Sequence, residues 1–248
     1  MKPILKSILL FFIFLIITQY PRDVYAGNAG GGELLYQWVH DSTYQIFYKF
    51  YRDCSGPAEP DSVVACYSNT CNSFSNSVIL NKVYSVPNPN VQVPLYCPNV
   101  NTTCTLPGSN IPGFWEWWYS GFITLPSRCN HWTFSVSIYS RSTAISNLVN
   151  PNSRSLYTEA TLDNFDAQGD TSPFFSVKPV YHMCTNIPFT TNDGAYDVNN
   201  DSLAFTLINP LTGSGCPALD TSISFQTATP AYNLSYVNGK SSTVQQYI

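Results

Sequence analysis

Asp197, Asn199 and Asp201, within the run Asp193-Gly194-Ala195-Tyr196-Asp197-Val198-Asn199-Asn200-Asp201-Ser202-Leu203, place side-chain oxygens at alternating positions of a short polar loop. Hard oxygen donors at this spacing suit Ca²⁺. An EF-hand is excluded, because counting from Asp197 puts Ser202 where the turn glycine belongs and Ile208 where the bidentate glutamate belongs. A second acidic stretch carries Asp163, Asn164, Asp166 and Asp170. Asp163 and Asp166 are therefore the candidate additional ligands, at what reads as a domain junction. The competing reading is a polar turn whose Asp and Asn side chains bond to their own backbone.

The second candidate site is aromatic. Phe114-Trp115-Glu116-Trp117-Trp118-Tyr119 concentrates three of the five tryptophans. In a strand, one face carries Trp115, Trp117 and Tyr119 and the other carries Phe114 and Trp118. Exposed rings in a row would stack on sugar, so Trp115, Trp117, Trp118 and Tyr119 are the candidate glycan-binding residues. Large aromatics are more often packed in a core, and that reading stands beside the first.

Other chemistry is poorly represented. His40, His131 and His182 are far apart in sequence, and neither a GxSxG nor an HExxH motif is present. Glu33, Glu59, Glu116 and Glu159 are the only glutamates, and a pair of them could serve glycoside hydrolysis only if folding brought them together. With 10% charged residues and a formal charge of −4, the chain has no electrostatic footprint for nucleic acid. Its partners are expected to be extracellular or cell-surface proteins or polysaccharides.

Residues 1–26 read as a secretory signal, with Lys2 and Lys6 ahead of an apolar run from Ile8 to Ile17 and Val24-Tyr25-Ala26 as the cleavage site. The apolar run is about half of the roughly 20 residues that a membrane span needs, and no later segment is apolar for long enough. Eight cysteines in an exported chain suit disulfides in an oxidising compartment. Short intervening loops suggest Cys66 with Cys71 and Cys97 with Cys104, leaving Cys184 with Cys216 and Cys54 with Cys129. Zinc ligation is disfavoured because no CxxC pair occurs.

The elements that must position these groups are strands. Tyr44, Ile46, Tyr48 and Phe50 alternate with Gln45, Phe47, Lys49 and Tyr51, behind a turn at His40-Asp41-Ser42. Trp132, Phe134, Val136 and Ile138 form the cleanest half-buried strand; Leu156–Leu162, Leu203–Ile208 and Ser222–Thr227 follow. The proline-rich stretch Val86–Pro112 is long for a connection and is expected to be pinned by a disulfide, whereas Gly30-Gly31-Gly32 reads as a flexible lead. A change of texture at Asp163–Ser172 divides the chain into a first domain over 27–165 and a second over 166–248. Regular short strands with such punctuation predict an all-β protein of two antiparallel sandwiches.

The stretches GGELLYQWVHDSTYQIFYKFYRDCSG (31–56), GFWEWWYSGFITLPSRCNHWTFSVS (113–137) and TLDNFDAQGDTSPFF (161–175) resemble the amino-terminal region of large secreted surface proteins of the Bacteroidota, which commonly end in a gliding-motility-associated sorting domain. The resemblance implies a non-catalytic adhesion or structural role, Ig-like or cadherin-like modules, and a longer parent of which this chain is a fragment with a truncated second domain. It also aligns the Asp197–Asp201 loop with the D-x-D-G-D loop of cadherin-like modules, from which Asn200 departs in place of glycine. A carbohydrate-binding module and an accessory domain of a secreted hydrolase are the alternatives.

Overall fold

The computed structural model describes residues 29–84, 91–95, 97, 99–182, 192, 194–206, 208–216 and 219–223. The expected signal peptide, Cys184 and the chain beyond Ile223 lie outside them. Among the described residues there is no α-helix, and the only helical turn is a 3-10 turn at Pro151–Ser153. The strands are β1 (Ala29–His40), β2 (Thr43–Asp53), β3 (Ser62–Asn69), β4 (Ser75–Lys82), β5 (Val91–Gln92), β6 (Phe114–Thr124), β7 (Trp132–Ile138), β8 (Leu156–Leu162), β9 (Phe174–Phe175), β10 (Ala195–Tyr196), β11 (Leu211–Ser214) and β12 (Leu219–Ser222).

β1 to β8 make one antiparallel sheet in the order β1-β2-β6-β4-β3-β7-β8, with β5 on the remaining edge of β6. This corrects the expectation of two Ig-like sandwiches, since the sheet curls into a nearly closed barrel. Antiparallel pairing along a path with an odd number of strands brings its first and last members together running in the same direction. Thus β1 and β8 share a seam without a hydrogen-bonded ladder. The Tyr36 hydroxyl donates to the Thr161 carbonyl at 3.0 Å near one end, and Ala29 makes a parallel bridge with Arg141 at the other.

Alternation decides what fills the barrel. Tyr44, Ile46, Tyr48 and Phe50 of β2 point inward, as their spacing predicts, and meet Leu34 and Tyr36 of β1, Tyr119 and Ile123 of β6, and Trp132, Phe134 and Val136 of β7. Trp132, Tyr48, Tyr119 and Phe50 are fully buried. The glycine run is part of β1 rather than a flexible lead. A Cβ on Gly32 would lie 2.5 Å from the Tyr48 hydroxyl, and one on Gly30 would collide with the Phe114 ring. The segment expected as a strand at Leu203–Ile208 is not one in its described residues. It alternates in exposure but has no sheet neighbour, so periodicity there had nothing to pair with.

Disulfides link elements distant in sequence, which overturns the pairings drawn from short loops. Cys54 bonds to Cys104, Cys66 to Cys216 and Cys71 to Cys129. Cys97 is also disulfide-bonded. The barrel brings the ends of strands together whatever their separation along the chain, so loop length is a poor guide. The proline-rich connection is indeed pinned, by Cys54–Cys104. Later segments lie on the outside of the barrel: β11 packs on β7 and β8 through Ser155, Ser137 and Gly213, while residues 170–182 cross β1, β2 and β6.

Candidate functional site

The outward face of β1, β2 and β6 carries a polar cluster that sequence reading did not assemble. Glu33 stands opposite Lys49 in the β1–β2 ladder, and Tyr51 stands opposite Glu116 in the β2–β6 ladder. Lys49 Nζ bonds Glu33 Oε2 at 2.8 Å, and Tyr51 donates its hydroxyl to Glu33 Oε1 at 2.6 Å. Glu116 accepts the Trp118 indole N–H at 2.6 Å on Oε1, and Lys178 pairs with its Oε2. Glu33, Lys49, Tyr51 and Glu116 are all buried. Burial, reinforced by Glu33, holds the Tyr51 hydroxyl well above the ordinary tyrosine range. Each carboxylate has both oxygens occupied, and the two glutamates are balanced by two lysines. Such an arrangement fixes the side chains in place.

Residues 170–182 provide the cover. The Ser172 N–H donates to the Tyr36 carbonyl at 2.9 Å and the Trp38 N–H to Thr171 Oγ1 at 3.2 Å, so this stretch pairs with the outer edge of β1. Beyond it the Phe175 carbonyl accepts from Lys49 at 3.2 Å, Lys178 reaches Glu116, and the Tyr181 ring packs edge-on against Phe114 with centroids 4.9 Å apart.

The candidate calcium loop lies where this cover begins, at Thr171. Asp197 Oδ1 accepts the N–H groups of Asn199 at 2.8 Å and Asp201 at 3.2 Å, while Asn199 Oδ1 accepts the Thr171 N–H at 3.0 Å. Asn200 adopts a left-handed φ of 66°, a conformation Asn tolerates better than most residues, so it fills the place of the missing glycine without losing the turn. Asp163 Oδ1 caps the N–H groups of Phe165 and Asp166. The acid that falls within the field of Asp197 and Asp201 is Asp170, which also accepts the Tyr36 hydroxyl at 3.0 Å. Burial and these two neighbours raise the Asp170 carboxyl above the ordinary aspartate range. Among the described residues no group of three or more His, Cys, Asp or Glu side chains is arranged to hold a metal ion.

The tryptophan strand buries Phe114 and Tyr119 and leaves its three tryptophans half-buried. Tyr119 is fully buried in the barrel, with its hydroxyl on the Pro60 carbonyl at 2.7 Å. Trp115 and Trp117 are half-buried and stacked, with centroids 6.1 Å apart, and the Lys82 ammonium lies 4.8 Å over the Trp117 ring. Trp118 faces outward beneath the Lys49 ammonium, 5.0 Å from its ring centroid. The stacked pair therefore sits at the barrel end that the 54–61 loop closes. There Glu59 pairs with Arg52 and Lys82, and Arg52 Nη1 bonds the carbonyls of Asp53, Gly56 and Pro57.

The other candidates do not converge. His40 pairs with Asp41 at the exposed hairpin turn, and His182 lies against the Pro112 carbonyl. Buried Arg141 bonds the carbonyls of Ser155 and Leu211, and burial pushes its guanidinium down to about 10. Comparison with protein-family models, curated proteins and solved structures gives no match to this chain.

Proposed function

We propose that the chain is a non-catalytic exported module of a cell-surface protein, acting in adhesion or as a structural spacer. The observation that carries this reading is that three disulfides cross-brace one barrel-like sheet, tying Cys104 to the end of β2, Cys216 to β3, and the β3–β4 turn to the β6–β7 connection. Covalent bracing of this kind belongs to proteins that work in an oxidising environment. The closed ion pairs around Glu33 and Glu116 favour a structural role over catalysis. The resemblance of most of residues 29–215 to Bacteroidota surface proteins supports the same role. The described chain has no helix long and apolar enough to cross a membrane.

The test is retention of beads coated with the oxidised protein on bacterial and polysaccharide surfaces. Retention lost after reduction supports the reading; no retention on any surface, together with turnover of a glycoside or ester substrate, overturns it. The half-buried Trp115–Trp117 stack favours a second reading as a carbohydrate-binding module. On that reading Trp115→Ala, still folded, loses polysaccharide pull-down.

Calcium belongs to the proposal through Asp197, Asn199 and Asp201, with Asp163 and Asp166 as further ligands. Bound cation would relieve repulsion among the acids, with a Kd as weak as about 10⁻³ M for an extracellular site. Thermal melts in millimolar Ca²⁺ should exceed those in chelator, and Asp197→Ala should remove the difference. Identical wild-type melts would reduce the loop to a capped turn.

A further inference from the structure

We propose that residues 171–182 form a releasable lid over the Glu33–Tyr51–Glu116 cluster, hinged at Thr171–Ser172 and latched by the Lys178–Glu116 ion pair. The contrast between the two sides of the sheet carries this inference. Inside the barrel the contacts are aromatic and aliphatic, and their burial drives folding. Under residues 171–182 the contacts are largely polar: one ion pair, Lys178 on Glu116, and hydrogen bonds from Lys49 to the Phe175 carbonyl, from the Tyr181 hydroxyl to the Val93 carbonyl and between His182 and the Pro112 carbonyl. Desolvating such groups offsets most of what their attraction returns, so a cover of this composition adheres weakly for its area. Its principal apolar anchor is the Tyr181 ring on Phe114, at the end away from the hinge.

The hinge has separate bonds of its own. Ser172 and Thr171 are tied to the backbone of Tyr36 and Trp38, and Thr171 also to Asn199. Breaking the latch and lifting Tyr181 and His182 from Phe114, Val93 and Pro112 would leave these bonds and the β1–β2–β6 ladders intact, with β10 moving on β9, to which it is paired. What the movement uncovers is a patch with two carboxylates, an ammonium and a phenol, beside the Trp118 ring that lies under Lys49. Elsewhere the outward face of the sheet is already open, since Val64, Ile79 and Phe122 are exposed. The cover therefore hides the charged part of the face and leaves an apolar part in solvent, the reverse of what cohesion alone would select.

Two lysines supply the test. The side chains of Lys49, beneath the lid, and Lys82, at the barrel end, are each 7% exposed, so static accessibility does not distinguish them. In the full chain, single-hit acetylation read by peptide mass spectrometry should modify Lys49 faster than Lys82. Lys178→Met should speed the Lys49 reaction by up to roughly fivefold, the size expected when one partly exposed ion pair ceases to hold a local opening closed. The Lys82 rate should stay unchanged. Tyr181→Ser should act in the same direction and provides the test if Lys178→Met does not fold. A single common rate for Lys49 and Lys82 in the wild type would overturn the proposal, as would a folded variant that leaves the Lys49 rate unaltered or shifts both rates together.

Discussion

Asp170 is a carboxylate whose environment opposes its charge. Burial comes first among the causes, followed by Asp201 and Asp197, while the Tyr36 hydroxyl and the Thr171 N–H act in the other direction. With its folded-state pKa raised, the native protein holds a proton that the unfolded chain releases. The associated stability is therefore present at acid pH and lost as pH rises through and beyond the ordinary aspartate range. Asp170→Asn should remove this decline. Urea titrations across that range should give a midpoint falling with pH in the wild type and a flatter profile in the variant, and parallel profiles would sink the assignment. At Lys82 burial opposes the charge, but Glu59 and Asp61 leave the ammonium above the ordinary lysine range. The residue types around Asp197 were legible in the sequence. Their use was not, because whether an aspartate oxygen faces an ion or its own backbone depends on a turn that only the folded chain defines.

At the scale of elements, period-two alternation made Tyr44–Phe50 and Trp132–Ile138 readable, since every inward position meets the same core. Glu33 and Lys49 were hidden by register. A two-residue turn at Asp41–Ser42 with an unbroken ladder would set Glu33 opposite Phe50. The irregularity between Trp38 and His40 slides β1 by one residue, so Glu33 meets Lys49. A one-residue shift exchanges the faces of a strand, and nothing local in the sequence announces it. The same packing reassigns the glycines. Gly32→Ala should lower stability by about 1–3 kcal/mol through overpacking against the Tyr48 ring, which is fully buried and has nowhere to retreat. Denaturant unfolding measures this, and an unchanged midpoint would show that the Tyr48 hydroxyl yields easily.

For the molecule as a whole, composition was enough to give an all-β, disulfide-braced chain, but not its closure. One barrel-like sheet and two sandwiches draw on the same alternating strands and the same turn residues. They differ in which strands are neighbours, and here the long-range order β2-β6-β4-β3-β7 decides it. The disulfides follow that order rather than the loops. Cys66 on β3 receives Cys216 from beyond β11, across a sequence separation of 150 residues.

That bond also governs how the protein would respond to being pulled. Tension applied at Ala29 and Ile223 passes from β1 through β2 to Cys66, crosses to Cys216 and leaves by β12, so the chain between the two cysteines carries no load. β6, β7 and β8, with the lid, lie in this shielded part. At roughly 3.5 Å per extended residue, the oxidised protein should come taut about 500 Å shorter than the reduced one. Single-molecule stretching with and without reductant measures the difference directly, and equal contour lengths would contradict this path of force. A chain braced this way can lose the order of its first two strands while everything between Cys66 and Cys216 carries no load.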